Sequence, residues 1–146
     1  MAEVVVSAAQ PNGLVAQIQM GVHQFTIDES DVQKQGAPVP GPNDYILSAL
    51  GACTVVTLQM YAQRKNWPLE KAEVRLSQMV LEATSPLTVN QPHPKRMLIT
   101  KRLKLTGPLT PEQIKRLEEI SSRCPVQKTL EAGVVVQTFL DETLPT

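Results

Sequence analysis

The feature that most constrains this chain is a long run in which nearly every helical position is apolar. Residues 44 to 65 read DYILSALGACTVVTLQMYAQRK and present almost no polar face before Gln63. A surface helix shows one apolar stripe, whereas a helix that is apolar nearly all round is buried. A run of about 22 residues would span roughly 33 Å as a helix. The sequence therefore predicts a fold organised around one long buried helix that ends at Trp67–Pro68.

Short segments with alternating apolar residues lie on both sides of this helix. Alternation with a period of two is typical of strands with one buried face. It predicts strands at 3–8, 14–20, 22–28, 69–83, 95–107 and 134–140. In the fifth of these, one face carries Met97, Ile99, Lys101, Leu103 and Leu105. Two proline-rich segments without a period, 28–42 and 84–94, are predicted to be loops.

A second helix has clear start and stop signals. Thr110 is a good N-cap, Pro111 suits the first helical position, and Gln113 has the spacing of a capping box. The Cys124–Pro125 step ends or breaks this helix. Residues 126–133 then form one more helical segment, with Gly133 as the predicted C-cap.

The predicted order β-β-β-α-β-β-α-α-β indicates an α+β fold with antiparallel pairing. The 146 residues suit a single domain, 1–146. Only 3% of residues are aromatic, so the predicted core is aliphatic. Lys and Arg balance Asp and Glu at 14 each, which argues against a nucleic-acid partner.

No signal peptide is recognised at the N-terminus, and no uninterrupted apolar run reaches the ~18 residues of a membrane span. We therefore predict a cytoplasmic protein without a membrane partner. In that compartment two cysteines are reduced thiols or a catalytic pair rather than a permanent cross-link.

The two cysteines, Cys53 and Cys124, admit two interpretations. A free cysteine in an apolar helix usually behaves as a small buried hydrophobe. Arg123 and Lys128 lie close to Cys124 in the sequence, however, and nearby cations favour a thiolate. Sequence alone does not bring the two sulfur atoms together, so both interpretations stay open at this point.

The blocks GPNDYILSALGACT, MYAQRKNWPLE and RCPVQKTL, preceded by GVHQFTIDE, resemble the OsmC/Ohr family of thiol-dependent peroxidases. The resemblance implies an intertwined homodimer whose antiparallel sheets wrap around the buried central helices. It also implies a role in the response to oxidative stress. By the family pattern Cys53 attacks a hydroperoxide, preferably an organic one, and Cys124 resolves the resulting sulfenic acid as a disulfide. An external dithiol then reduces this disulfide.

The chain departs from the family pattern at the groups that ionise the attacking thiol. Peroxidase members use an N-terminal arginine, but this chain has none before Arg64. Arg64 lies roughly 16 Å along the helix from Cys53, which is too far within one helix. Arg64 of the partner subunit, Arg102 and Arg123 are the remaining candidates.

The supporting glutamate of the family falls at Asn43, next to Asp44. Asp44 either supports the site or serves only as an acidic residue at a helix N-terminus. The missing arginine leaves two alternatives to a peroxidase. One is a redox-sensing or small-molecule-binding dimer with weak or no peroxidase activity, and the other is a scaffold with purely structural cysteines. With only two histidines and no Cys or carboxylate cluster beside them, we predict no metal and no cofactor.

Overall fold

The structure, a computed structural model, describes residues 3–11, 13–29, 40–82 and 97–141. The predicted loop at 84–94 and most of the loop at 28–42 lie outside these residues. The chain divides into two compact units, Met1–Ala49 and Leu50–Thr146. The assignment of a single domain stays a prediction.

The first unit contains a three-stranded antiparallel meander of β1 (Val4–Ser7), β2 (Val15–Met20) and β3 (His23–Asp28). Ile18 on the central strand pairs with Val6 on one side and Phe25 on the other. Gly21 adopts a positive φ of 57°, which a tight turn between β2 and β3 requires. The predicted meander is therefore present.

The second unit contains the antiparallel pair β4 (Lys71–Val80) and β5 (Met97–Thr106). The long helix α1 (Pro42–Lys65) begins in the first unit and continues into the second. Two shorter helices follow, α2 (Pro111–Ser121) and α3 (Pro125–Ala132). The α+β class with antiparallel sheets is confirmed.

Within the second unit, one face of α1 from Leu50 onward is buried. Its buried residues recur at helical spacing, so they share that face: Leu50, Gly51, Thr54, Leu58 and Ala62. Leu58 and Ala62 form a core with Leu117 and Ile120 of α2. At Gly51 an added Cβ would lie only 2.8 Å from the Leu76 side chain, so a residue without a side chain lets helix and sheet approach closely.

The opposite face of α1 is exposed within the single chain. Val56 is 55% exposed and Met60 is 65% exposed. The predicted burial is therefore met on one face only. By length and composition alone α1 would also suit a membrane span, with a mean hydropathy of 1.4, but core helices of soluble proteins meet the same criterion.

The predicted ends of α2 and α3 are confirmed. The Thr110 side chain accepts from the Gln113 backbone N–H, and the Gln113 side chain accepts from the Thr110 N–H, which completes the capping box. α3 ends at Gly133, whose φ of 83° suits glycine.

The strand predicted at 134–140 is wrong for the described chain, in which residues 133–141 have no regular secondary structure. A strand exists only when a neighbour pairs with its backbone, and β-branched residues do not supply that neighbour. Val135 and Leu140 are 90% and 91% exposed.

Candidate active site

The sulfur of Cys124 caps the start of α3. The residue before a proline is held in an extended conformation, and Cys124 has φ −64° and ψ 136° before Pro125. This conformation turns its side chain back over the first turn of α3. The Sγ atom then accepts a hydrogen bond from the backbone N–H of Gln127, with N and S 3.3 Å apart. Cysteine here takes the place usually held by Ser, Thr, Asp or Asn.

The structure brings the two cysteines together. Both are free thiols; Cys124 is fully buried and Cys53 is partly exposed. The Cys53 side chain is one of the groups that lower the pKa of the Cys124 thiol. The next residue after Cys53, Thr54, places its hydroxyl oxygen 4.0 Å from the Cys124 sulfur. Residues 71 positions apart in the printed sequence thus share one small site.

Lys101 supplies the positive charge beside this pair. Its ammonium group donates to the Thr54 hydroxyl oxygen at 3.2 Å and to the Ser121 carbonyl oxygen at 2.9 Å. The single proton of the Thr54 hydroxyl serves either the Leu50 carbonyl oxygen, 2.8 Å away, or the Cys124 sulfur. Lys101 therefore connects β5 to both helices around the thiols.

Burial and polar contacts act on the Cys124 thiol in opposite directions. Burial raises its pKa, because the charged form loses solvation. Hydrogen bonds from the Gln127 backbone, Cys53 and Thr54, together with the charge of Lys101, lower it. The balance leaves the pKa of Cys124 below its ordinary value. The site thus favours the thiolate form of Cys124 more than water does.

The same surroundings also shift the pKa of Lys101. Burial lowers the pKa of its ammonium group, and the nearby Cys124, Cys53 and Glu131 raise it in part. A lysine in such surroundings stays charged most readily when an anion lies beside it. The charged form of Lys101 and the thiolate form of Cys124 therefore favour each other.

A cavity of about 360 Å³ adjoins the thiol site within the second unit. Its apolar wall consists of Leu50, Met97, Ile99 and Leu130, and Lys101, Gln127 and Glu131 supply its polar groups. The Gln127 side-chain amide donates to Glu131 Oε1 at 2.7 Å. Its Oε1 atom is buried and has no partner in the described part of the chain. The cavity can thus hold a small, largely apolar molecule with a polar end.

Within this chain, none of the predicted arginines is among the groups that act on Cys124, and Arg64 of the partner subunit stays a prediction. Arg64 stacks over the Tyr61 ring, with its guanidinium carbon 5.6 Å from the ring centroid. Arg102 is exposed on β5 opposite Arg75, and Arg123 is exposed beside the buried Cys124. Among the residues the structure describes, Lys101 is the cation that acts on Cys124.

Asp44 occupies the first turn of α1. Its carboxylate accepts a hydrogen bond from the Gly41 backbone N–H at 2.8 Å and is exposed. This contact is the one expected of an acidic residue at a helix N-terminus. The described residues contain no group of three or more potential metal ligands.

Lys101, Thr54 and Gln127 are the site residues that sequence analysis missed. One sequence feature does mark Lys101 as unusual: it is the single charged residue among four apolar residues on one face of β5. A lysine at such an inward position needs acceptors or an anion. Its actual partners lie 20 and 47 positions away in the chain, so no local pattern identifies them.

This fold and thiol site define the class of the protein. The family model described as OsmC-like protein matches residues 34–139, and the chain belongs to that family. Among curated proteins no sequence matches significantly.

Solved structures share the fold. The OsmC-like protein from Mycoplasma pneumoniae has a TM-score of 0.65 and 21% identity, with 90% of this chain and 87% of that chain covered. The organic hydroperoxide resistance protein OhrB of Bacillus subtilis has a TM-score of 0.55 and 20% identity, with 88% of each chain covered. An organic hydroperoxide resistance protein OsmC from Legionella pneumophila has a TM-score of 0.57 and 14% identity, covering 88% and 87%.

Proposed function

We propose that this protein is a thiol-dependent reductase of organic hydroperoxides that uses Cys53 and Cys124. The observation that carries the proposal is the position of Thr54, the neighbour of Cys53, whose hydroxyl oxygen lies 4.0 Å from the Cys124 sulfur and 3.2 Å from the Lys101 ammonium group. The partly exposed Cys53 is the sulfur that a peroxide can reach. The names of the Bacillus and Legionella structures, both organic hydroperoxide resistance proteins, agree with this role.

The proposed cycle has three stages. Cys53 attacks the O–O bond of the hydroperoxide and becomes a sulfenic acid, while the alcohol leaves. Cys124 then attacks the Cys53 sulfur, forming a disulfide and releasing water. An external dithiol reduces this disulfide and restores both thiols. The apolar wall of the adjoining cavity favours an organic hydroperoxide over hydrogen peroxide as substrate.

The proposal is tested by peroxide consumption with cumene hydroperoxide and dithiothreitol. We expect turnover in the parent protein and none in Cys53→Ser. Ser122→Ala, an exposed change near the site, is the matched control and should retain activity. Mass spectrometry without reductant should find a Cys53–Cys124 disulfide after peroxide treatment. Full activity in Cys53→Ser would refute the proposal.

A second candidate function is a redox sensor that is oxidised by peroxide but turns over slowly. It is favoured by one observation: no arginine among the described residues acts on Cys124. The two candidates differ in the rate of repeated cycles. A disulfide that forms in a single oxidation, with no sustained peroxide consumption when dithiol is in excess, would identify the sensor.

We also propose that the protein acts as a homodimer in the cytoplasm. The exposed Val56 and Met60 form an apolar surface on α1 that a second copy would cover. The two free thiols suit a reducing compartment. Sedimentation should give twice the chain mass for the parent and for Lys115→Glu, an exposed control, but not for Val56→Glu. A monomeric parent protein would contradict the dimer.

A further inference from the structure

The cavity beside the thiol site has two chemically different ends. Met97, Ile99 and Lys101 line it along one face of β5. Alternate residues of a strand are about 6.6 Å apart, so Met97 lies roughly 13 Å from Lys101 along the strand. Lys101 is at the inner end, because its ammonium group donates to Thr54, the neighbour of Cys53. Met97 is 45% exposed and marks the outer end.

Helix α3 lines the cavity from the same inner end outward. It begins where the Cys124 sulfur accepts from the Gln127 backbone N–H at 3.3 Å. Glu131 comes seven residues after Cys124, which is about 10 Å along the helix axis. Gln127 and Glu131 both line the cavity, but Gln127 is half-buried whereas Glu131 is exposed. Glu131 thus places a carboxylate at the outer end of the cavity.

The carboxylate of Glu131 is restrained by its neighbour on the helix. Gln127 and Glu131 are four positions apart, so their side chains lie on one face of α3. The Gln127 amide N–H donates to Glu131 Oε1, with N and O 2.7 Å apart. A carboxylate accepts and does not donate, so this bond also fixes the orientation of the amide. The negative charge of Glu131 is therefore held beside the cavity.

The chemistry of the proposed reaction determines how a hydroperoxide lies in this cavity. Its O–O bond has to reach the thiols, which lie at the inner end next to Lys101. Its organic group then lies along Leu50, Ile99 and Leu130. The far end of that group meets Glu131, and a negative charge there is repelled. Lys101 does not offset this repulsion, because in this orientation it faces the peroxide end.

We propose that Glu131, restrained by Gln127, selects neutral organic hydroperoxides over those that carry a carboxylate at the far end. The inference rests on the proposed function and adds a specificity-determining residue to it. Glu131 acts on the tail of the substrate and not on the reacting atoms, so its charge affects KM and leaves kcat unchanged. Because Glu131 is exposed, dissolved salt screens the effect.

Two hydroperoxides that differ by one charge test the inference. Cumene hydroperoxide is neutral, and its para-carboxylate carries a negative charge at the far end of the ring. With dithiothreitol in excess, we expect kcat/KM of the parent protein to be about fivefold lower for the carboxylate, the order expected for one pair of like charges near a protein surface. The difference should lie in KM and decrease at high salt. Equal kcat/KM values for the two substrates in the parent protein would overturn the inference.

Two variants identify the source of this difference. Glu131→Gln removes the charge and keeps an acceptor for the Gln127 amide, so the two substrates should become equivalent. Glu112→Gln removes the same charge from the first turn of α2, outside the residues that line the cavity, and should keep the difference. A preference that persists in Glu131→Gln, or that is lost in Glu112→Gln, would contradict the role of Glu131. Circular dichroism verifies that each variant is folded.

Binding without turnover separates the inference from the proposed function. Cumyl alcohol and its para-carboxylate are titrated into Cys53→Ser, with and without Glu131→Gln, and binding is followed by ligand-observed NMR. We expect Cys53→Ser to bind the neutral alcohol more tightly and the added Glu131→Gln to remove this preference. If no hydroperoxide is turned over but the preference is found, the peroxidase proposal fails and the selectivity of the cavity stands. If hydroperoxides are turned over through Cys53 without a charge preference, the proposed function stands and the inference fails.

Discussion

Lys101 Nζ lies 3.2 Å from the hydroxyl oxygen of Thr54, and this contact joins strand β5 to helix α1 next to both thiols. Thr54 is fully buried and immediately follows Cys53 in α1. The contact between Lys101 and Thr54 therefore places the ammonium group of β5 beside the segment of α1 that carries Cys53. Its role can be tested by changing only the hydroxyl.

Thr54→Val keeps the shape of the side chain and removes its hydroxyl. We expect the Cys124 thiol to titrate at higher pH, as followed by the ultraviolet absorbance of the thiolate. The reason is that the Cys124 sulfur loses a nearby hydroxyl and Lys101 loses one acceptor. Stability should fall by about 1–3 kcal/mol, as is typical when a buried polar partner is removed. Thr57→Val, one turn further along α1, is the control. An unaltered titration in Thr54→Val would contradict the role of this contact.

The low pKa of Cys124 predicts how stability depends on pH. The thiol titrates at lower pH in the folded protein than in the unfolded chain, so the unfolded chain binds more protons between the two values. Stability should rise with pH through this window, remain at its full value above the unfolded pKa, and be lost as pH falls through the folded pKa. Urea unfolding of reduced parent protein and Cys124→Ser checks this prediction. The parent minus variant difference should increase with pH; a constant difference would contradict it.

Gly107 follows β5 at a position where a side chain does not fit. Its φ is 142°, and an added Cβ would lie only 2.1 Å from the Pro68 carbonyl oxygen. We expect Gly107→Ala to cost about 3 kcal/mol or more, in the range of strongly destabilising backbone changes. Gly133→Ala is the matched control: it also has a positive φ, of 83°, but meets no atom within 4 Å. Gly133→Ala should lower the free energy of unfolding by about 1–2 kcal/mol. Equal losses at both positions would show that the contact with Pro68 does not add to the cost at Gly107.

The capping box of α2 predicts a smaller effect. Thr110→Ala should lower the free energy of unfolding by about 1 kcal/mol, because the Gln113 N–H loses its acceptor. Gln113→Ala removes the reciprocal bond. The double variant should lose less than the sum of the two single losses, since both changes break one unit. Chemical denaturation measures all three variants, with the exposed Lys115→Ala as control; strict additivity would contradict a coupled cap.

The parts of the fold that sequence analysis predicted correctly are those governed by local chemistry. Thr110 and Gln113 lie three residues apart, so their pairing can be inferred from spacing. The meander around Gly21 likewise depends on alternation and a turn. By contrast, the strand at 134–140 needs a neighbour that local sequence does not specify.

The candidate site was predicted only in part for the same reason. The resemblance to the family predicts Cys53 and Cys124, but it predicts an arginine rather than Lys101 as the cation beside them. Lys101 reaches the pair through contacts with Thr54 and Ser121 that are remote in sequence. Such a contact depends on how β5 packs against two helices, which local sequence patterns do not determine.

The sulfur cap of α3 has a consequence for the local stability of the oxidised protein. A disulfide to Cys53 would remove the charge from the Cys124 sulfur, and the Gln127 N–H would then hold a weaker acceptor. We expect amide hydrogen exchange at Gln127 to be faster in oxidised than in reduced protein. Equal exchange in both forms would contradict this expectation. The first turn of α3 would thereby be less firmly capped in the oxidised chain than in the reduced one.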